Sequence, residues 1–309
     1  MQDNRKKIIV DTDPGIDDAI ALCYAMTHPR LEVMALTTVF GNVDTPLATD
    51  NAARLCQLTG TQIPVATGAT APLSIAANPH SYFVHGDNGF GNIELPLDNY
   101  QPSAKDAADT IIELVMTNPG QITLVAVGPL TNLALALQRE PDIIRHVESV
   151  VVMGGVFDKR GNVTPFAEAN AWNDPHAAKA VLCADWPLVI LGLDVTHQVS
   201  FDREFFNTLA DGNKTVGGFL RDAAQYYIDF YEQRSNFIGC CPHDQLALTY
   251  VTNPQWFDCE SAALDVIVEG EQIGKTFRTE LTTGQRTQRI GKHVNVERLR
   301  QDYLSTLTS

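Results

Sequence analysis

Residues 8–22 read IIVDTDPGIDDAIAL. An apolar run stops, four aspartates (Asp11, Asp13, Asp17 and Asp18) fall within eight positions, and an apolar run resumes. The first run suits a buried strand, and the second a helix opened by carboxylates, which free amide N–H groups and the helix dipole favour. In an extended segment residues two apart share a side, so Asp11 and Asp13 point the same way before Pro14-Gly15 turns the chain. Capping accounts for one or two of these acids. Four carboxylates within a few ångströms either raise a pKa or recruit a cation. With no thiol or imidazole nearby in the sequence, oxygen ligands point to Ca²⁺ or Mg²⁺ rather than zinc.

Working outward, KIIVD, LEVMALTTV, ITLVAVG, ESVVVMGG and PLVILGLD are near-continuous apolar runs, as strands buried on both faces require. Amphipathic segments such as PLATDNAARLCQLTG, AKDAADTIIELVM and DPHAAKAVLCA alternate with them. That alternation predicts an α/β fold: a mostly parallel, doubly wound (Rossmann-like) open sheet with helices on both faces. The strands end in DTDPGIDD, FGN, GPLTN, MGGVFD and GLDVTH, and in such sheets ligands sit beyond the carboxyl ends. These five turns are therefore expected to meet in one crevice. After about residue 200 the pattern becomes helical, with a hairpin expected in SAALDVIVEGEQIGKTFRTELT and a closing helix in VERLRQDYLSTL. No linker-like tract intervenes, so residues 1–309 read as one domain with an α-rich C-terminal cap. The long segment Ala77–Asn99, rich in His, Asp, Asn and Gly, reads as a lid.

A net charge of −15 without a Lys/Arg cluster argues against a nucleic-acid partner. No apolar run approaches the roughly 20 residues that span a bilayer, and the basic N-terminus lacks a signal-peptide core, so a cytoplasmic protein with no membrane partner is expected. Cys23, Cys56, Cys183, Cys240, Cys241 and Cys259 show no paired-ligand spacing and read as reduced thiols with structural roles. His243-Asp244, opening the helical segment HDQLALTYV, offers a further carboxylate to the aspartate turn, and the VGPLTN turn a backbone carbonyl.

VDTDPGIDDAIAL, TTVFGN, LVAVGPLTN, VVMGG, NVTPFAEANAWNDPHAA, GLDVTH and PHDQLAL, in that order, resemble the nucleoside hydrolases, which cleave the N-glycosidic bond of ribonucleosides. The resemblance spans nearly the whole chain. It implies a Ca²⁺ ion held by Asp13, Asp18, the Val127 carbonyl and Asp244, with water and the ribose 2′- and 3′-hydroxyls completing the shell. It implies that Asp13 is the general base for the attacking water and Asp11 a supporting residue. Asp17, Asn42, Asn162, Glu168 and Asn170 would hold the ribose, with Met153 packed nearby. His243 would serve the leaving base, His85 would belong to the lid, and Tyr231 would face the base. A homodimer or homotetramer acting on a small ribonucleoside is also implied. The chemistry suits these residue types, because an oxocarbenium-like sugar needs a nearby negative group and an activated water.

Two departures bear on base preference. Ala169 stands where relatives often carry phenylalanine, leaving Trp172 as a possible base-stacking wall, and TTGQRTQRIGKHVNVERL lacks the usual Gly-Lys-Pro stretch. A haloacid-dehalogenase-type phosphatase also opens on strand-DxD, but it wants Thr or Val where this chain has Gly15. A nucleoside-binding module without turnover would keep the metal and ribose residues but not a full catalytic set.

Overall fold

The computed structural model describes residues 5–234, 237–280 and 287–309. The Val/Ile-rich runs become β1 (Lys6–Thr12), β2 (Leu31–Thr38), β3 (Val65–Thr67), β4 (Ile122–Ala126), β5 (Ser149–Met153) and β6 (Leu188–Leu191). With β7 (Phe257–Val266), β8 (Thr276–Thr279) and β9 (Gln288–Val294) they form one sheet, ordered β3-β2-β1-β4-β5-β6-β9-β7-β8. Pairing is parallel from β3 through β9, and β7 runs antiparallel to both β9 and β8.

Strand β1 shows why its sequence reads as unbroken apolar. Ile8 and Val10 enter the core on one face of the sheet and Ile9 the core on the other. Fully burying each such side chain contributes roughly 1.5–3 kcal/mol. Helices Ile16–Thr27, Thr45–Thr59, Val216–Arg234, Gln245–Thr252 and Val296–Thr308 pack into the first core, and Ala107–Thr117, Thr131–Arg139 and Pro175–Leu182 into the second. Their starts follow capping chemistry: Asp44, Asp106 and Asp174 each accept a hydrogen bond from a first-turn N–H. No helix among the described residues is long and apolar enough to cross a membrane.

The C-terminal third departs from a purely helical cap. The expected hairpin forms as β7–β8, but it joins the main sheet through β9, QRIGKHV, which inserts between β6 and β7. Of β9 only Ile290 is fully buried in a core, with Val294 partly covered against the other, so its apolar signal is too thin to announce a strand. GLDVTH, read as a turn, contains the short helix Leu193–Thr196. Met1–Asn4 of the basic N-terminus and residues 281–286, where the expected hairpin segment ends and the stretch lacking Gly-Lys-Pro begins, lie outside the described residues.

β1 is flanked by β2 on one side and β4 on the other, so the winding of the chain reverses there. A crevice opens at the carboxyl ends of the strands at such a switch point. The aspartate turn leaves β1 at that place, and Val127, just past β4, donates its N–H to the Asp11 carbonyl at 2.8 Å.

Candidate active site

Each carboxylate of the turn is held differently. Asp18 is held at both oxygens: Oδ1 accepts from the Thr12 hydroxyl at 2.5 Å and the Asp13 N–H at 3.2 Å, and Oδ2 from the Gly15 N–H at 2.9 Å and the Asn42 amide at 3.1 Å. Asp13 is held at one oxygen only. Its Oδ2 accepts the Asn42 N–H at 2.7 Å, while Oδ1 is buried without a hydrogen-bond partner. A Cβ on Gly41 would fall 2.0 Å from Asp13 Oδ2, and one on Gly128 would fall 2.6 Å from Oδ1. The glycines of FGN and GPLTN are thus what admit this carboxylate. Asp11 accepts from the Thr37 hydroxyl at 2.5 Å and the Asn132 amide at 2.8 Å, tying β1 to β2 and to helix Thr131–Arg139 behind the site. Burial pushes its carboxyl up to about 7.

Asp244, at the start of helix Gln245–Thr252, arrives from the far end of the chain. One oxygen from each of Asp17, Asp18 and Asp244 lies within 4.8 Å of the others. The resemblance assigned Asp17 to the sugar, and the fold places it in the same oxygen cage as Asp18 and Asp244. Burial raises the pKa of Asp13, Asp17, Asp18 and Asp244, and neighbouring acids raise Asp13, Asp17 and Asp244 further. Asp13 Oδ1 and Asp17 Oδ1 are both buried without a hydrogen bond. An all-oxygen donor set with unpartnered carboxylate oxygens fits a hard divalent cation.

Above the acids lies a cavity of about 810 Å³ into which Asp17, Asn42, Val127 and Asp244 open. Its walls include Met153, Asn162, Glu168 and Asn170, so the five strand-end turns do converge. Glu168 caps helix Ala169–Asn173, accepting from the Asn170, Ala171 and Gly155 N–H groups at 3.0, 3.3 and 2.8 Å. Asn170 donates its amide to the Val127 carbonyl at 2.7 Å and the Met153 carbonyl at 3.2 Å, linking the ends of β4 and β5. Asn162 accepts the Ala169 N–H at 3.1 Å. A second cavity, about 960 Å³, lies at the opposite ends of the strands and contains none of these residues.

The segment Ala77–Asn99 covers one side. Its short helix Tyr82–His85 brings His85 beneath the turn, where Nδ1 accepts the Ile16 N–H at 3.1 Å and lies 3.8 Å from Asp17 Oδ1. Burial lowers the His85 imidazole to about 3, so it is neutral. Trp172 lies outside the cavity lining, with its main chain against Gly274. Phe83 and Phe230 line the mouth instead, with the Arg234 guanidinium 5.1 and 4.2 Å from their ring centroids.

Opposite the acids, His243 and Tyr231 pair at 2.7 Å between Nε2 and the phenol oxygen. Thr196 Oγ1 holds the other ring nitrogen at 2.8 Å, and Tyr227 links Tyr231 (3.5 Å) to Asp17 (3.4 Å). Burial drives the pKa of His243 well down, leaving an uncharged imidazole. No local signal in the sequence marks Thr196, and the spacing of Tyr227 along its helix fits core packing as well as a place in the site. GLDVTH was recognisable as a strand-end turn, but nothing local shows which of its residues points at His243.

The profile of the family described as inosine-uridine preferring nucleoside hydrolase matches residues 8–301. The chain is 37% identical to uridine nucleosidase 1 of Arabidopsis thaliana, over 88% of this chain and 81% of that protein. It is 38% identical to the non-specific ribonucleoside hydrolase RihC of Salmonella paratyphi C, over 94% and 91% respectively. The solved purine-preferring ribonucleoside hydrolase of Gardnerella vaginalis superimposes with a TM-score of 0.95 at 31% identity, covering 98% of both chains.

Proposed function

The chain belongs to the inosine-uridine preferring nucleoside hydrolase family and hydrolyses the N-glycosidic bond of ribonucleosides to ribose and free base; on that premise we propose how its residues divide the work. The observation that carries the division is Asp13 Oδ1, buried, unpartnered and raised in proton affinity at the head of the aspartate turn. It is the general base that takes the proton of the attacking water. Asp13, Asp18, Asp244 and the Val127 carbonyl hold the cation, proposed to be Ca²⁺, and Asp17 stands close enough to share the same cage. When bound, that ion supplies positive charge among the acids and a fixed point for the ribose hydroxyls and the water.

Asn42, Asn162, Glu168 and Asn170 bind and orient the sugar, Met153 packs against it, and His85 closes the lid side. The buried carboxylates stabilise positive charge as the C1′–N bond breaks and its electron pair leaves with the base. That base needs a proton. The groups that meet it are the paired His243 Nε2 and Tyr231 hydroxyl, 2.7 Å apart, with Thr196 fixing the direction of the imidazole. A panel of purine and pyrimidine ribonucleosides assayed for free ribose tests the reading and supplies the base preference. Phosphate release from p-nitrophenyl phosphate without ribose release would refute it.

The relatives are named for uridine, purine and non-specific activities, which motivates the panel.

A further inference from the structure

The fold builds a second cluster of metal-ligating atoms that the cysteine spacing did not disclose. One ligand atom from each of His197, Cys241 and His243 lies within 4.8 Å of the other two. His197 comes from the end of the GLDVTH segment, and Cys241 and His243 flank Pro242 before helix Gln245–Thr252. The His197 and His243 rings meet edge to face with centroids 5.5 Å apart. Cys241 is fully buried, with its thiol hydrogen-bonded to the Tyr231 hydroxyl. The neighbouring Cys240 is excluded, since its thiol lies against the Phe201 carbonyl at 3.6 Å.

We propose that His197, Cys241 and His243 form a binding site for a borderline-soft divalent cation such as Zn²⁺, and that filling it shuts down turnover. Imidazole and thiolate are both zinc ligands, and three protein ligands with one open position are the arrangement of a catalytic zinc site. With metal–ligand distances of about 2.0–2.3 Å, tetrahedral ligand atoms sit about 3.3–3.8 Å apart, so side-chain shifts of about an ångström close the site. The sulfur separates it from the carboxylate cage, because thiolate and imidazole select zinc or copper while carboxylates select Ca²⁺ or Mg²⁺. His197 and His243 both line the active cavity, so an ion enters by the substrate's route. On binding, the thiol proton leaves to solvent and the His243 nitrogen exchanges the Tyr231 hydroxyl for the metal. The inhibition half of the proposal rests on the leaving-group reading above, and the binding half does not.

The test uses the full chain in excess Ca²⁺, with Co²⁺ as a spectroscopic probe. One Co²⁺ per chain is expected to produce a thiolate-to-cobalt charge-transfer band that Zn²⁺ bleaches. Cys241→Ser removes the band, and His197→Gln weakens binding at least about tenfold. Measured against its own zinc-free rate of ribose release, each variant resists Zn²⁺ inhibition by a similar factor. Absence of the band in the parent protein, or its survival in Cys241→Ser through the exposed Cys183, overturns the site. Should Cys241→Ser not fold, unchanged zinc inhibition in the half-buried His197→Gln overturns it equally. A normal band with undiminished turnover supports the site and counts instead against His243 in catalysis.

Discussion

At the carboxyl ends of β1 and β4, Asp13, Asp17, Asp18 and Asp244 are buried together, and Asp13 and Asp17 each keep an oxygen without a hydrogen bond. On the flank of the same sheet, Asp158 and Glu260 lie half-exposed between Arg278 of β8 and Lys292 of β9. Arg278 binds both oxygens of Asp158 at 2.9 Å, and its Nε reaches Glu260 at 2.6 Å. Side-chain hydrogen bonds from Arg278 and Lys292 hold Asp158 down at about 2, whereas burial and mutual repulsion push the inner acids up. The chain answers Asp158 and Glu260 with its own cations and leaves the inner acids to an ion from outside. Acid density alone does not mark a metal site; burial combined with the want of a basic partner does.

Removing the cation should break this contrast most severely. Chelation is expected to abolish ribose release, and adding back Ca²⁺ should restore it. The inner acids have raised folded-state pKa values, so in the cation-free protein their contribution to stability is present below the ordinary carboxylate range. It is lost as pH rises through the raised values. The melting temperature of chelated protein should therefore fall with rising pH above about 4, as thermal scans would show. Ion at a hundred times its Kd should recover about 2.7 kcal/mol. Activity and melting profiles unaffected by chelator would refute a resident ion.

Asp13→Asn keeps the shape and the Asn42 contact but removes the base. With saturating Ca²⁺ it is expected to fold normally by circular dichroism and to lose about 10²–10⁴ in kcat. Near-parental kcat would remove Asp13 from proton transfer. Next in size is the leaving-group end, where a neutral His243–Tyr231 pair faces four acids. His243→Ala or Tyr231→Phe should damage inosine cleavage far more than cleavage of p-nitrophenyl riboside, whose leaving group needs little protonation. Thr196→Val should show the same pattern more weakly. Equal losses on both substrates would assign these residues to structure instead.

The contrast also explains what could be read from the chain. IIVDTDPGIDDAIAL announced strand, turn, helix and cation together, because each is encoded within a few positions. The parallel sheet was legible for the same reason, in runs such as ITLVA and SVVVM that are buried on both faces. What escaped depends on partners remote in sequence. Thr196 matters only because the fold sets it 2.8 Å from His243. β9 has alternating polar residues and a single fully buried apolar side chain, and becomes a strand because β6 and β7 leave a slot for it. Trp172 has the chemistry of a stacking wall but lies outside the cavity lining, which Phe83 and Phe230 reach from two separate segments.

The smallest effect expected is at the compensated acids. Asp158 follows the MGGVF turn of β5, and the main-chain N–H groups of Phe157 and Asp158 both bind the Asp194 carboxylate at 2.8 Å. Its bridge to Arg278 and Lys292 therefore ties β8 and β9 to a loop that begins at Met153, in the cavity wall. The carboxyl is depressed from 3.8 to about 2, so its contribution to stability is present above the unfolded value and lost as pH falls toward 2. Half-exposed and solvent-screened, it is worth no more than about 1 kcal/mol. Asp158→Asn should accordingly leave kcat and Ca²⁺ affinity near those of the parent and lower the melting temperature slightly at neutral pH. The difference between the two proteins should shrink between pH 3.8 and about 2. A variant that lost Ca²⁺ affinity instead would show that the flank network sets the geometry of the inner cage, and that the two groups of acids are one coupled system.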